Sequence, residues 1–278
     1  MRFDWYQASI PNVPPQLVME ALSKVDYYGD WEQIRPMRNY NSAAAFVVGN
    51  ETRFKINFGG QNEEHGSNVV GSGECAQVLA DVVREHFPIH RVSRLDSCQD
   101  YFHADAYDYL RTLALKIGKQ HKVQCREIVK PLTDSDDGRT LYLGSQTSAV
   151  SMRIYEKGKQ LQRDDEWVRA ELQVRPQKEQ KALMAMLNPT EVWGLSKWSH
   201  DMGVQLGKRD LQRVEAQVYQ PSDHDRAYRW MLRQYSKVLV QMLASHGSPE
   251  AVGAQIFYDL ENPQDDALKT SLRPVKRV

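Results

Sequence analysis

Alternating apolar and polar residues mark three short strands between residues 138 and 176. The predicted strands run over 139–145, 150–157 and 167–175. Because alternate side chains of a strand share a face, Arg153, Tyr155 and Lys157 lie together on the second strand. The third strand carries on one face Arg169, Glu171 and Gln173. The pattern therefore predicts a phenol between two cations, beside a strand that bears a carboxylate.

The chain before these strands reads as two rounds of strand, helix, strand, strand. The first round has a strand at 3–10, a helix at 16–25, a hairpin at 43–48 and 52–58, and then a helix at 73–87. The second has a strand at 90–102, a helix at 105–119 and a strand at 123–129, followed by the three strands above. This order predicts an α+β fold, in which two related units, about 1–88 and 89–176, build an antiparallel sheet platform.

After residue 176 the pattern becomes helical. Helices are predicted at 177–187, 189–207, 223–245 and 249–260, before a basic tail. The most regular of them has apolar residues at the spacing of a buried stripe, namely Tyr228, Met231, Leu232, Tyr235, Leu239 and Met242. We therefore predict two domains, a platform over 1–176 and a helical region over 177–278.

The composition of the chain limits the class of protein but does not indicate a function. The chain of 278 residues has 36 basic and 36 acidic residues, and this neutral total neither favours nor excludes nucleic acid, because binding depends on where charge clusters. No apolar run approaches the roughly 20 residues of a membrane span, and the first residues lack the apolar core of a signal peptide. The three cysteines lack zinc-ligand spacing. We expect a cytoplasmic protein without a membrane partner.

Two strands share an arginine-x-acid pattern that has two interpretations. Arg94 precedes Asp96, with Asp100 on the same face of its strand, and Arg169 precedes Glu171 in the same way. Carboxylates in apolar strands cost free energy unless they are paired or bind a metal. Two or three that converge can hold Mg²⁺ or Mn²⁺, which would polarise a phosphoryl oxygen. Ion pairs on a solvated sheet face are the alternative.

Tyr155 has two interpretations as well. A tyrosine can attack phosphorus to form a covalent phosphotyrosine, and nearby Arg153 and Lys157 would lower its pKa from the usual value near 10. Tyrosine is also common in strands for packing reasons, and the chain has 13 of them. Others that compete for the role are Tyr101, Tyr107 and Tyr142.

An ordered set of motifs resembles one known family. The motifs are RLD at 94–96, LYLGS at 141–145, RIYEK at 153–157 and RAEL at 169–172. Their order resembles that of the rolling-circle replication initiation factors, the Rep_trans-type initiators of plasmids and filamentous phages, which are related to conjugative relaxases. The resemblance spans roughly residues 40 to 190, and its motifs lie on four predicted strands.

The resemblance implies a DNA-nicking endonuclease and strand transferase on an antiparallel sheet platform. Tyr155 would cut one strand at a replication origin, remain linked to the 5′ phosphate and free a 3′ hydroxyl. Lys157 and Arg153 would contact the scissile phosphate. The divalent metal would be held by Asp96 and Glu171, with Asp100 as a third ligand. A non-catalytic DNA-binding regulator of replication or copy number on the same scaffold is the alternative.

An initiator would also need a surface for duplex and single-stranded DNA at the origin. The predicted phosphate contacts are Arg53, Lys55, Arg94, Lys122, Arg126 and Arg169, with further basic residues in the tail. Such contacts give affinity and salt dependence, and they do not choose a sequence. Ordinary solvated faces are the alternative for each of them. The sequence leaves open a host helicase and a second copy of the chain as partners, the origin sequence, and a phage or plasmid source.

Overall fold

The computed structural model describes residues 1–26, 28–128, 138–145, 147–163, 165–207, 210–214 and 223–262. The chain divides into two compact units, Met1–Tyr219 and Gln220–Val278. Within the described part of the first unit, ten strands form one sheet. The strands are β1 (Arg2–Ile10), β2 (Asp30–Gln33), β3 (Ser42–Val48), β4 (Glu51–Phe58), β5 (Ser67–Ser72), β6 (Arg91–Phe102), β7 (Cys125–Ile128), β8 (Thr140–Leu143), β9 (Val150–Glu156) and β10 (Trp167–Val174).

The helices of the described residues follow the predicted alternation. They are α1 (Pro15–Ser23), α2 (Cys75–His86), α3 (Ala106–His121), α4 (Lys157–Gln160), α5 (Gln180–Met186), α6 (Lys197–Gln205), α7 (Asp223–His246) and α8 (Pro249–Glu261). Local signals explain several ends: Pro15 begins α1, and the Ser196 and Ser199 side chains form a capping box at the start of α6.

The sheet is built from two halves with the same topology. Its strand order is β2-β3-β4-β5-β1-β6-β10-β9-β8-β7, and every neighbouring pair is antiparallel. Each half starts with its central strand, continues through a helix, and returns through four strands, the last of which pairs with the first. β1 and β6 join the halves in the middle. This confirms the predicted α+β platform with a helical C-terminal region.

Two strands of the first half were absent from the predicted pattern. β2 has only four residues, and β5 has the sequence SNVVGS, whose Ser, Asn and Gly residues are typical of turns. Gly66 leads into β5 with φ +74°, and a Cβ at this position would lie 1.9 Å from the carbonyl oxygen of Ile10. The turn before β5 therefore requires glycine.

One face of the sheet is covered by helices, and the other carries polar side chains. Alternate strand residues form a single core with the apolar faces of α1, α2, α3, α5 and α6, including Phe3, Val18, Leu79, Leu110 and Trp193. The remaining strand residues point to the opposite side, because side chains alternate along each strand. We call this opposite side the open face.

The helices that follow β10 return to the helical side of the sheet. Trp193 is fully buried, and its indole N–H donates to Ser97 Oγ on β6 at 2.9 Å. Arg84 on α2 donates to the carbonyl oxygens of Ala185 and Leu187 at 2.9 and 2.5 Å. Residues up to Tyr219 thus belong to the same compact unit as the sheet. The division into domains at residue 176 stays a prediction.

The second unit contains α7 and α8, which pack on each other. The helix predicted at 223–245 is present, but its expected burial is wrong for Tyr228, Met231 and Leu232, which are all exposed. Spacing predicts a helical apolar face, and it cannot show whether anything covers that face. The basic tail lies outside the described residues. Among the described helices, none is long and apolar enough to cross a membrane.

Candidate active site

Three central strands bring the predicted catalytic residues together on the open face. Arg169 on β10 lies opposite Tyr155 on β9 and opposite Asp100 on β6. Glu171 lies opposite Arg153 on β9. Side chains of residues that are directly opposite in an antiparallel pair share a face, so this register places the tyrosine, the acids and the arginines side by side.

Glu171 is the centre of one hydrogen-bonded group. Its side chain is 1% exposed, and Arg153 donates to Oε1 from Nε at 3.0 Å and from Nη2 at 2.6 Å. The hydroxyl of Tyr155 donates to Oε2 at 3.0 Å. Both oxygens of this carboxylate are therefore occupied, one by a cation and the other by the candidate nucleophile.

Tyr155 is a neutral phenol in this arrangement. It is 4% exposed, and burial raises its pKa; the charge of Glu171 raises the pKa further, while Arg153 opposes the shift. Arg153 thus acts in the predicted direction, but the pKa of Tyr155 in the free protein is still raised, because burial outweighs this cation. Both cations do lie over the ring, at 4.9 and 5.5 Å from its centroid.

Glu171 itself is set up to take a proton. Burial raises the pKa of its carboxyl group, and repulsion from Asp96 adds to this, although Arg153 opposes both. A carboxylate with a raised pKa is a stronger base, and this one already accepts the hydrogen bond of the phenol. The hydrogen bond therefore gives a direct path between the phenol proton and this carboxylate.

Asp96 forms the next group along the sheet. Arg94 donates to both of its oxygens, at 3.0 and 2.5 Å, and Gln173 donates to Oδ2 at 3.3 Å. The guanidinium of Arg94 stacks over the Trp5 ring, with its Cζ 4.4 Å from the ring centroid. Arg94 is partly exposed, whereas Asp96 is buried, so the acid is reached from solvent past this arginine.

Arg169 forms a third group with acids from both halves of the sheet. It donates to Asp100 at 2.6 and 3.0 Å and to Asp4 on β1 at 2.7 Å. Trp167 also donates to Asp100, at 2.8 Å, and Arg2 reaches Asp4 at 3.2 Å. Burial would raise the pKa of Asp100, but the bonds from Arg169 and Trp167 outweigh it and hold the pKa below the usual range. Arg169 is 2% exposed, which suits it to position its neighbours.

The other predicted phosphate contacts are spread around the sheet. Arg126 lies on the open face, with its guanidinium 5.2 Å from the centroid of Tyr142, which in turn lies opposite Arg153. Lys122 is exposed at the end of α3. Arg53 and Lys55 lie on β4 in the first half, where Arg53 contacts Glu51 at 3.3 Å. The structure thus groups Arg94, Arg126 and Arg153 on one face and leaves Lys122 apart.

Sequence reasoning missed the contribution of β1. Arg2 and Asp4 join the Arg169 group, and Trp5 packs against Arg94. The alternation along β1 does indicate that Arg2 and Asp4 share a face of the strand. It does not indicate that this face lies beside β6, because the pairing of β1 with β6 is known only from the structure. Asp4 lies 165 positions before Arg169 in the sequence, so no local pattern connects the two residues.

The carboxylates fit a divalent cation in part. Among the described residues, no three His, Cys, Asp or Glu side chains converge as metal ligands do. Asp96 and Glu171 are diagonal neighbours on adjacent strands, and repulsion from Asp96 contributes to the raised pKa of Glu171. These two supply the hard oxygen ligands that Mg²⁺ and Mn²⁺ prefer. Asp100 is bound by Arg169 and Trp167 instead.

Comparisons with known proteins agree with the motifs and the fold. A family model described as "Replication initiation factor" matches residues 93–252. The chain therefore belongs to the replication initiation factor family, which confirms the resemblance found in the sequence. The family match includes the strands that carry Asp96, Tyr155 and Glu171.

A solved structure shows the same fold. It is the rolling circle replication initiator protein from Geobacillus stearothermophilus, which is 20% identical, with a TM-score of 0.53. The match covers 77% of this chain and 97% of that chain. At this identity the likeness establishes the fold alone. No curated protein matches the chain.

The ion pair of Asp100 with Arg169 predicts a pH-dependent stability. Asp100→Asn removes one of the two negative charges that balance the buried charge of Arg169. We therefore expect the free energy of unfolding at pH 7 to fall by roughly 3–5 kcal/mol. The pKa of Asp100 is depressed on folding, so its contribution is present above its unfolded pKa of about 3.9 and lost as pH falls through the folded pKa. Urea unfolding of wild type and variant between pH 7 and pH 3 measures this difference, which shrinks toward the acid end.

Asp108→Asn is the matched control, since Asp108 binds Arg139 at 3.0 Å on the surface. We expect it to cost less than about 1 kcal/mol. Equal stabilities of wild type and Asp100→Asn at pH 7 would show that the Arg169 group contributes nothing.

Proposed function

We propose that the chain initiates rolling-circle replication by nicking one DNA strand at its origin through Tyr155. The observation that carries this proposal is the hydrogen bond from the Tyr155 hydroxyl to Glu171, beneath the cations Arg153 and Lys157. Membership of the replication initiation factor family supports it. A nucleophile, a proton acceptor and phosphate-binding cations are the parts that such a transfer needs.

In the proposed reaction, the Tyr155 oxygen attacks the phosphorus of the scissile phosphodiester. Its proton passes to Oε2 of Glu171, and a covalent bond forms between the tyrosine oxygen and the 5′ phosphate. The bond from phosphorus to the 3′ oxygen breaks; that oxygen leaves with the electron pair and takes a proton from solvent. Arg153 and Lys157 offset the negative charge on the phosphoryl oxygens.

Asp96 with Glu171 would hold Mg²⁺ or Mn²⁺, which, when bound, would polarise a phosphoryl oxygen. A carboxylate has two acceptor oxygens, so Glu171 could serve both the ion and the phenol. Arg94 and Arg153 bind these acids in the structure, so the ion would compete with the two arginines for the carboxylates.

The open face is the proposed DNA surface. Arg94 and Arg126 border the Tyr155 site, and Arg53 and Lys55 extend basic charge to the first half. We further propose a bacterial cytoplasm as the setting, with a host helicase and a second copy of the chain as additional partners. Exposed apolar side chains on α7 and α8 are accessible to a protein partner.

The second candidate function is a DNA-binding regulator without catalysis. One observation favours it: Asp96, Glu171 and Asp100 each already bind an arginine, as they would in a purely structural network. A covalent intermediate separates the two candidates, because a regulator forms none.

The first functional prediction concerns the nucleophile. Supercoiled DNA carrying the origin, incubated with Mg²⁺ or Mn²⁺, should give open circles and a covalent protein–DNA band with wild type. Tyr155→Phe should give no covalent band, since phenylalanine has no oxygen to attack phosphorus. Tyr142→Phe, on the neighbouring strand β8, should form the adduct as wild type does.

An adduct formed by Tyr155→Phe as well as by wild type would show that another residue is the nucleophile. If wild type forms no adduct with DNA that it binds, the regulator function replaces the nuclease.

The second functional prediction concerns the proton acceptor. The nicking rate of wild type should rise with pH through the raised pKa of Glu171, because only the carboxylate accepts the proton, and then level off. Glu171→Gln should slow nicking roughly 10²- to 10⁴-fold and abolish this rise. Single-turnover rates across pH measure both effects.

Glu127→Gln is the control, because Glu127 binds Arg111 and Tyr107 away from Tyr155, and it should keep the pH dependence. If Glu171→Gln slows the reaction equally at every pH and keeps the rise, Glu171 has a role other than proton transfer.

The third functional prediction concerns the metal. Wild type should bind Mn²⁺ at one site. Electron paramagnetic resonance distinguishes free from bound Mn²⁺ and so measures this binding independently of DNA cleavage. Asp96→Asn should weaken binding at least about tenfold, because it removes one of two charged ligands. Asp100→Asn should retain binding, since Arg169 and Trp167 hold that acid. The reverse ranking would assign the ion to the Arg169 group.

A further inference from the structure

An aromatic pair lies at the edge of the open face, where β6 ends and β10 begins. Phe102 and Trp167 are opposite each other in the β6–β10 pairing, with ring centroids 5.7 Å apart and planes inclined by 29°. Phe102 is 68% exposed, although its phenyl ring is apolar and gains no hydrogen bond from water. Folding thus leaves a large apolar ring in solvent.

The partner ring is held in place from several sides. The indole N–H of Trp167 donates to Asp100 at 2.8 Å, which fixes the ring plane. The guanidinium groups of Arg163 and Arg169 lie 5.4 and 5.1 Å from its centroid. These contacts hold the indole rigid beside the exposed ring of Phe102, so a flat ring can bind there with little loss of conformational freedom.

The pair lies on the same face of the sheet as Tyr155, whose hydroxyl points to Glu171 on the far side of Arg169. Trp167 precedes Arg169 by two residues, and Arg169 is opposite Tyr155, so Trp167 and Tyr155 are diagonal neighbours on one face. Such neighbours are about 7–8 Å apart. A DNA strand whose scissile phosphate lies at the Tyr155 hydroxyl can therefore run along this face and place a neighbouring base beside Trp167.

A cavity of about 250 Å³ adjoins Trp167 and has room for a base. Lys159 and Arg163 line it, together with the acids Glu156, Asp165 and Glu166. Two of the three acids have an arginine partner, Glu156 with Arg139 at 3.1 Å and Asp165 with Arg163 at 2.8 Å. The two cations and these ion pairs reduce the repulsion that the cavity presents to a strand of nucleic acid.

We propose that Phe102 and Trp167 form a stacking subsite for an unpaired base of single-stranded DNA next to the scissile phosphate. This inference rests on the proposed nicking function and adds a contact that holds the strand. Stacking of a base on an aromatic side chain is worth roughly 1–3 kcal/mol and tolerates any base, because every base has a π face. The subsite holds unpaired DNA in register and leaves sequence choice to other contacts.

The test compares two fluorescein-labelled oligomers of about 12 nucleotides, one of thymidines and one of abasic residues. Fluorescence anisotropy measures their binding to Tyr155→Phe protein, which cannot form the adduct. Adding Phe102→Ala should weaken thymidine binding roughly 5- to 100-fold and leave abasic binding unchanged. Adding Phe102→Tyr should restore thymidine binding, because it keeps the ring.

Tyr28→Ala is the matched control: Tyr28 is an exposed ring in the loop before β2, at the far edge of the first half. It should bind both oligomers as the parent does. Circular dichroism checks that Phe102→Ala is folded. Thymidine binding that Phe102→Ala does not weaken, or an equal loss for both oligomers, would overturn the stacking subsite.

The adduct assay separates this inference from the function on which it rests. With Tyr155 intact and DNA at saturating concentration, Phe102→Ala should still form the covalent band. A wild type that forms no band refutes the nuclease, while the comparison of the two oligomers still decides the subsite.

Discussion

The arrangement of the open face depends on one buried cation, Arg169. A charge out of water costs several kcal/mol unless acids surround it, and Arg169 has Asp4 from the first half of the sheet and Asp100 from the second. Because these acids lie on β1 and β6, a single guanidinium ties together the two strands at which the halves meet. Tyr155 lies opposite Arg169 on β9, so the position of the candidate nucleophile depends on the same cluster.

Every acid near Tyr155 has a cation, and this balance gives the proposed reaction a natural trigger. In the resting protein Arg153 binds Glu171, and Tyr155 keeps its proton. A DNA phosphate that enters between the cations competes for Arg153. In the proposed mechanism Arg153 then leaves Glu171 for the phosphate, and the carboxylate becomes available to the proton and the ion only when the substrate is present.

Much of this centre was accessible from the sequence, because side-chain alternation fixes which residues of a strand share a face. The grouping of Arg153 with Tyr155 and of Arg169 with Glu171 follows from that rule. The same rule does not tell which strands are neighbours: Asp4 contacts Arg169 only because β1 pairs with β6. The direction of the Tyr155 pKa shift also depends on burial, which alternation does not measure. For the same reason, the stripe on α7 predicted a helix correctly and its burial wrongly.

The contact between Asp4 and Arg169 joins residues 165 positions apart in the chain. Such a contact closes a very long loop, so it forms after the local hairpins and late in synthesis. A nascent chain that has just exposed Tyr155 still lacks β10, and with it both Glu171 and Arg169. In the proposed mechanism, a fragment that ends before β10 would therefore be inactive, because it carries the tyrosine without the carboxylate that would take its proton.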